Sequence, residues 1–536
     1  MVKRIVAVAI LSAIGFAITG AGIAAAPKDP VTHANAPDMT ARCAALIGKM
    51  DNIPDASTEV TEANLVESDG DLPAYCRVAG TVFPAVGIEM RLPTSGWNGK
   101  FFMFGRGGAC RAITMVNCDD PVRRGYACIV TDQGHKSATE SDDVWEYGNL
   151  QAKVDCGFRG THVAAVAGKA ITARYYRKPP VHSYFMGCST GGRMAMLEAT
   201  RFPYDFDGIL AGAPPIPKFG DELALAWNAL ATMGKDGRQI LTVAALKLVA
   251  KAVVAKCDMD DGVADGVVGD PWGCKFDPAE LRCKPAQTDD CLTNGQIEAL
   301  RKMYQGPVNS KGEKLFPGSV LPGSELNWVK DFVSEDGQPG VIYKAMTEAF
   351  RYAIEPERGP DWKLTQFDWD NDYKNNGLFD AYMGDNNPNL RPFKAAGGKL
   401  ILYQGLADQL ISPAGTLDYY KTVQRVMGGP ASTEEFARLF LAPGLNHCGG
   451  GAGATIFDYV KYLDDWVANG NAPEVMIGAH VKNAAGGNYG ILKQPLDPAN
   501  VVFTRPVYKY PMMARYKGSG DPNDAANFEP ALSSAP

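Results

Sequence analysis

Residues 185–194, "FMGCSTGGRM", decide how this sequence folds. An apolar run, "HSYFMG" (182–187), leads into the stretch, and a helical pattern, "GGRMAMLEATRFP" (191–203), leads out of it. Between them Gly187, Ser189 and Gly191 have the spacing G-x-S-x-G. A strand that turns this sharply into a helix brings backbone so close that neighbouring Cβ atoms would collide, so glycines flank the serine. The turn lifts the serine hydroxyl above the sheet, with the N-terminus of the next helix beneath it. Ser189 is therefore the candidate nucleophile, and the Thr190 backbone N–H a candidate oxyanion donor. The thiol beside the serine raises a question. Cys188 is either a second reactive group or a cysteine bonded elsewhere.

The same rhythm continues on both sides. The runs "KFFMFG" (100–105), "YACIVTD" (126–132), "DGILAGAP" (207–214), "GKLILYQG" (398–405) and "ARLFLAPG" (437–444) each read as a buried strand ending in turn residues. Helical stretches such as "THVAAVAGKAITARYY" (161–176) separate several of them. Alternation of this kind predicts a mostly parallel α/β sheet, and with the serine turn it predicts an α/β-hydrolase fold. Between about residues 215 and 391 the rhythm breaks. That segment is rich in Gly, Pro, Asp and aromatics, carries four cysteines, and is too long for a loop. It reads as a lid domain inserted into a catalytic domain made of residues 27–214 and 392–536. The tail beyond about Asp521 is polar and rich in Ala, Pro and Ser, so it reads as loose.

A serine nucleophile needs a base and an acid, which in this fold follow it in the order acid, then histidine. Of six histidines, only His447 and His480 come after Ser189. His447 sits in "LAPGLNHCGGG", a glycine-rich loop directly after a strand, where a catalytic base belongs. His480, in "IGAHVKN", reads as a packing or surface residue. Asp408 lies three residues past Gly405 in "LILYQGLADQLISP", placed to accept the His447 Nδ1–H. Asp418 is near but belongs to the next helical pattern. The second oxyanion donor is expected from "FFMFGRGGAC", at Gly107 or Gly108, with Arg106 either attracting a carboxylate or, the favoured reading, facing solvent.

The N-terminus, "MVKRIVAVAILSAIGFAITGAGIAAAP", has a basic start, a short apolar run and small residues. It reads as a signal peptide covering residues 1–26, with a secreted or periplasmic destination. The full chain has 53 Lys and Arg against 60 Asp and Glu, a net charge of -7. Loss of Lys3 and Arg4 takes the mature chain to -9, which argues against nucleic-acid partners and anionic membranes. Twelve cysteines in an exported chain imply six disulfides; there is no C-x-x-C pair to suggest zinc. The stretch "CDMDDGVADGVVGDPWGC" (257–274) is dense in Asp and Gly, and its carboxylates suit a hard, oxygen-seeking cation. It is not an EF-hand, because Gly262 stands where a ligand would be needed.

With these residues in place, the sequence resembles the tannase/feruloyl esterase family, whose members also include hydrolases of terephthalate monoesters. The resemblance rests on "RGYACIVTDQGH", "YYRKPPVHSYFMGCSTGGRMAMLEATRFPYDFDGILAGAP", "GGKLILYQGLADQLISP" and "RLFLAPGLNHCGGGAG", and runs from about Cys43 to Phe528. It implies a Cys188–Cys448 disulfide joining the serine turn to the histidine loop. It also implies bridges Cys257–Cys274, Cys283–Cys291 and Cys43–Cys76, which leaves Cys110 with Cys118 and Cys128 with Cys156 by elimination. It implies a structural calcium on Asp258, Asp261, Asp265 and the carbonyls of Val263 and Val267. A further bridge near the C-terminus is missing, with Tyr508 and Glu529 in place of its cysteines, so a more mobile tail is expected.

The activity implied is a serine carboxylesterase acting on a small aromatic ester, of a hydroxycinnamic, gallic or related acid. Many members carry a histidine four residues before the acid. Here that position is Gln404, and Ile411 stands just beyond the acid, which points away from terephthalate monoesters. Lid residues Trp328, Phe350, Arg351, Tyr352 and Trp362 are candidates for the acyl pocket, although aromatics mostly pack. A secreted peptidase with the same three residues, an esterase for another ester class, and a binding protein on this scaffold are the competing readings.

Overall fold

Ten strands form one sheet in the computed structural model, which describes residues 36–536 apart from 111, 138–142, 235, 385 and 485–492. The proposed leader and His33 lie outside the described residues. The strands are β1 (Gly48–Met50), β2 (Thr58–Val66), β3 (Tyr75–Val82), β4 (Val86–Pro93), β5 (Lys100–Gly105), β6 (Ala127–Thr131), β7 (His182–Cys188), β8 (Gly208–Gly212), β9 (Lys399–Gly405) and β10 (Ala437–Ala442). Their order across the sheet is β1-β2-β3-β4-β6-β5-β7-β8-β9-β10. This is the expected α/β-hydrolase architecture.

The six strands from β5 to β10 pair in parallel, and all six were legible as apolar runs. They are covered on both faces, so nearly every position is buried and the hydrophobic run is unbroken. The first four strands are antiparallel and extend the sheet beyond the sequence expectation. In β3 and β4 buried positions alternate with partly exposed ones, and a half-polar strand of this kind carries no continuous apolar signal.

Helices α1 (Gly160–Tyr176) and α2 (Thr190–Arg201) pack against the central strands. The chain between β8 and β9 leaves the sheet and forms α3 (Lys218–Ala231), α4 (Val243–Cys257), α5 (Asn294–Gln305) and α6 (Val341–Glu348), joined by short helical turns. Helix starts here follow local chemistry: the Thr242 hydroxyl caps α4, and Thr293 with Gln296 forms a reciprocal capping box at α5. The apolar residues of this insert join those of the sheet in one continuous cluster. Trp328 and Phe350 are fully buried and Trp362 nearly so, which makes these three candidates part of the core of the insert. Arg351 is held by the Trp362 carbonyl at 2.6 Å.

Helix α7 (Pro413–Met427) precedes β10, and α8 (Tyr459–Asn469) follows it. Two small sheets complete the chain. Strands β11 (Ile456–Phe457), β12 (Val475–Val481) and β13 (Val501–Tyr508) form one antiparallel sheet, and β14 (Met512–Tyr516) pairs with β15 (Phe528–Leu532). The tail is therefore docked, contrary to the loose segment expected. Beyond β15, the Ser534 N–H donates to Asp270 at 2.5 Å and Pro536 O accepts from Lys421 at 2.9 Å. Paired backbone holds this polar stretch without the missing cysteines, and that pairing has no short-range signal. Among the described residues no helix is long and apolar enough to cross a membrane.

Candidate active site

The serine turn has the conformation its glycines require. Ser189 has φ 62° and ψ -128°, a left-handed backbone that a non-glycine residue adopts only under constraint. Its N–H donates to the Gly212 carbonyl at 3.0 Å, and its own carbonyl accepts from Arg193 N–H at 2.9 Å at the start of α2. A Cβ on Gly187 would come within 2.5 Å of the Gly191 carbonyl oxygen, and one on Gly191 within 2.5 Å of the Gly105 carbonyl oxygen. The turn can therefore press against β5 only with glycine at both places.

Asp408 lies in the turn after β9 and is 1% exposed. Its Oδ1 accepts from the Leu410 and Ile411 N–H groups, each at 2.9 Å, and its Oδ2 from Gln404 Nε2 at 2.9 Å. Gln404 is oriented in turn by the Thr416 hydroxyl, which donates to its Oε1 at 2.8 Å. The residue that departs from the family's histidine therefore still donates a hydrogen bond to the acid.

His447 Nδ1 lies 3.0 Å from Asp408 Oδ2 and 3.1 Å from Oδ1. Burial opposes a charge on this imidazole, but the charge and hydrogen bond of Asp408, with Asp331 beyond, outweigh it and raise its pKa above the ordinary histidine value. The two loops approach closely: the Ala407 N–H donates to the Leu445 carbonyl at 3.1 Å, and a Cβ on Gly405 would lie 2.3 Å from that same oxygen. His480 stands elsewhere, stacked on Phe503 with Nδ1 2.9 Å from the Gly453 carbonyl, a packing residue as expected. Asp418 lies in α7, away from the turn.

Cys188 and Cys448 form a disulfide with Cα atoms 5.8 Å apart, and Cys448 Sγ lies 3.6 Å from His447 Nε2. The sulfur beside the second imidazole nitrogen is thus bonded to the turn that carries Ser189. The bridges Cys43–Cys76, Cys257–Cys274 and Cys283–Cys291 form as the resemblance implied. The remaining two differ from the pairing by elimination: Cys110 bonds Cys156, and Cys118 bonds Cys128. The reason is topological. Cys128 lies in β6 beside the turn that contains Cys118, whereas Cys110 follows β5 and meets the segment that opens α1.

The Cys110–Cys156 bond bears on the loop of Gly107 and Gly108. Cys110 follows Gly107 and Gly108 closely, and the Arg193 guanidinium, fully buried on α2, donates to the carbonyls of Cys156 (2.9 Å) and Gly157 (2.6 Å). One short segment, 156–157, thus ties the Gly107–Gly108 loop through the disulfide to the helix that begins at Thr190. Gly108 and Thr190 line the same small cavity. Arg106 is only half-buried, with its Nε out of contact with solvent, so it does not simply face water.

The acidic loop after α4 folds around its own carboxylates. Asp258 Oδ1 accepts from the Asp265 and Gly266 N–H groups at 3.1 and 3.0 Å, and Asp261 Oδ1 from Val263 N–H at 3.0 Å. Burial, with Asp265 and Asp258 nearby, pushes the Asp261 carboxyl up to about 7, against the Val263 N–H and Arg505. Arg505 pairs with Asp265 at 2.7 Å. Three carboxylates share this loop while Arg505 is bonded to one of them, and the donors are all oxygen, so the residues fit a hard cation in kind. A different trio, His162, Glu198 and Asp205, has ligand atoms within 4.8 Å of one another, the one such group among the described residues. Lys169 already places its ammonium 3.6 Å from Asp205 there.

Sequence reasoning passed over Asn327, Asp331 and Gln409, which link the insert to the acid and histidine loops. Only the position of Gln409, next to Asp408, carried any signal.

Known proteins share this architecture. The family model described as tannase and feruloyl esterase matches residues 71–531. A mono(2-hydroxyethyl) terephthalate hydrolase of Piscinibacter sakaiensis is 34% identical, over 85% of each chain. A probable feruloyl esterase of Arthroderma benhamiae is 35% identical, over 83% of this chain and 82% of that one. The crystal structure of an esterase from Aspergillus oryzae superimposes with a TM-score of 0.80 at 26% identity, covering 92% of this chain and 100% of that one.

Proposed function

Since the chain belongs to the tannase and feruloyl esterase family, we propose that this ester hydrolase is an exported serine carboxylesterase that cleaves esters of hydroxycinnamic, gallic or related aromatic acids. The observation that carries the reading is the bonded pair His447–Asp408, bridged through Cys448–Cys188 to the Ser189 turn.

In this reading His447 Nε2 takes the proton of Ser189 Oγ as the oxygen attacks the ester carbonyl. The N–H groups of Thr190 and of Gly107 or Gly108 hold the oxyanion. His447 then gives its proton to the departing alcohol, leaving an acyl group on Ser189. Water, deprotonated by His447, releases the acid and restores the serine. Asp408 keeps the proton on Nδ1 and stabilises the imidazolium; it takes no proton itself.

A fluorophosphonate tests the reading. The folded protein is expected to be labelled, and Ser189→Ala to lose both the label and about a thousandfold or more of the activity. Unlabelled folded protein would refute it. Methyl ferulate, methyl gallate, a terephthalate monoester and short p-nitrophenyl esters then rank the substrate classes.

A structural calcium is part of the proposal, held by Asp258, Asp261, Asp265 and the carbonyls of Val263 and Val267. It would neutralise the carboxylates of this loop and takes no part in the steps above. Export is supported by the leader-like N-terminus and by the pairing of all twelve cysteines, a state suited to an oxidising compartment.

A further inference from the structure

One stretch of the insert, residues 327–331, is bonded to both loops that carry the acid and the histidine. Asn327 Nδ2 donates to the carbonyl of Ala407 at 2.8 Å, one residue before Asp408. It also donates to Asn446 Oδ1 at 2.7 Å, one residue before His447. Asp331 Oδ2 accepts from Gln409 Nε2 at 2.9 Å, one residue after Asp408, and Gln409 Oε1 accepts from the His447 backbone N–H at 3.4 Å. The residues on either side of the acid and the one before the base are thus tied to the insert, and the base itself is tied through Gln409.

The proton transfers of the proposed reaction need only Ser189, His447 and Asp408. Nothing in that scheme calls for a second carboxylate, yet Asp331 supplies one, bonded to the Gln409 side chain that also accepts from the His447 backbone N–H. We propose that Asp331 is a positioning residue for the ester hydrolysis, pinning the His447 loop through Gln409 and placing a second carboxylate beside that loop; this rests on the reading of His447 as the base.

The charged groups around the pair are few. His447 is faced by Asp408, from the turn after β9, and by Asp331, from the insert. Asp331 is faced by His447, Asp408 and Lys330, with Gln409 bonded to it. Burial raises the Asp331 pKa, while Gln409 and the charge of His447 work against that rise. Each member of the Asp331–His447 pair therefore favours the charged form of the other. Asn327 belongs to the same strap but carries no charge, so the two residues separate holding from charging.

The test is the pH dependence of kcat/KM in the full-length protein. Asp331→Asn keeps an oxygen for Gln409 and removes only the charge. It is expected to move the acid limb down by about 0.5–1 pH unit and to lower kcat severalfold with KM little changed. Asn327→Ala is expected to lower kcat without moving the limb. A second measurement needs no turnover: the His447 imidazole is titrated by NMR in Ser189→Ala, with and without Asp331→Asn. The histidine is expected to titrate lower when Asp331 is neutralised. An unmoved limb, or an unmoved His447 titration in folded Asp331→Asn, overturns the inference. Failure of the fluorophosphonate to label Ser189 would instead overturn the esterase mechanism, so the two failures are distinguishable.

Discussion

Cys188, directly before Ser189, is bonded to Cys448, directly after His447, across a sequence separation of 260 residues. The bond joins the two loops whose mutual distance decides whether Nε2 can reach the serine hydroxyl. Replacing both cysteines by alanine is expected to destabilise the fold by about 3–5 kcal/mol through loop-closure entropy. It is also expected to lower kcat more than it raises KM. Denaturant unfolding and steady-state kinetics check the two parts. If activity is unchanged in the verified double variant, the bridge is structural alone.

Gln404 holds Asp408 by a hydrogen bond that neither backbone donor replaces. Gln404→Leu is expected to leave Asp408 Oδ2 short of a donor and the Thr416 hydroxyl short of an acceptor. The cost to stability is about 1–3 kcal/mol, with a fall in kcat of about tenfold as the acid loses its orientation. Gln404→His restores a donor and is expected to recover much of the loss. Thermal melts and kinetics on one ester measure both.

In the proposed mechanism the raised pKa of His447 sets the pH range of activity. The base must be neutral to accept the serine proton, so kcat/KM falls as pH drops through that pKa. Because Asp408, and behind it Asp331, favour the imidazolium, the acid limb is expected above the ordinary histidine value of about 6.5. A pH–rate profile on a neutral ester reads it directly.

The Cys110–Cys156 bond and Arg193 together fix the glycine loop relative to Thr190. Removing both cysteines is expected to lower kcat by about tenfold or more, because a displaced oxyanion donor costs transition-state stabilisation. Affinity for a boronic acid that mimics the tetrahedral intermediate should fall further than affinity for the product acid. Equal losses for both ligands would mean that the bond shapes only the pocket.

Calcium on the loop of Asp258, Asp261 and Asp265 is expected to raise the melting temperature. Chelation should lower it, readdition should restore it, and Asp261→Asn should abolish the response. Free calcium at about a hundred times Kd corresponds to a stabilisation of about 2.7 kcal/mol. A melt that ignores both chelator and added calcium would rule out a stabilising ion at this loop.

The parallel half of the sheet, the serine turn and the two residues of the Asp408–His447 pair were legible in the chain's local patterns. Each of these is written locally: a strand buried on both faces must be apolar throughout, and a turn as tight as 187–191 must have its glycines. The N-terminal antiparallel strands were not legible, because β3 and β4 bury only alternate positions and break up the apolar run. Four disulfides followed from the resemblance, but elimination mispaired Cys110, Cys118, Cys128 and Cys156, since sequence order says nothing of which strand ends meet. The docked tail and the strap from Asn327 to Asp331 were likewise invisible. Their bonds join residues up to hundreds of positions apart, as between Ser534 and Asp270. Side chains such as Asn327 and Gln409 gain a role only when the folded insert sets them beside a loop. Local sterics and burial are recorded in sequence; the partners of a polar side chain are chosen by tertiary packing.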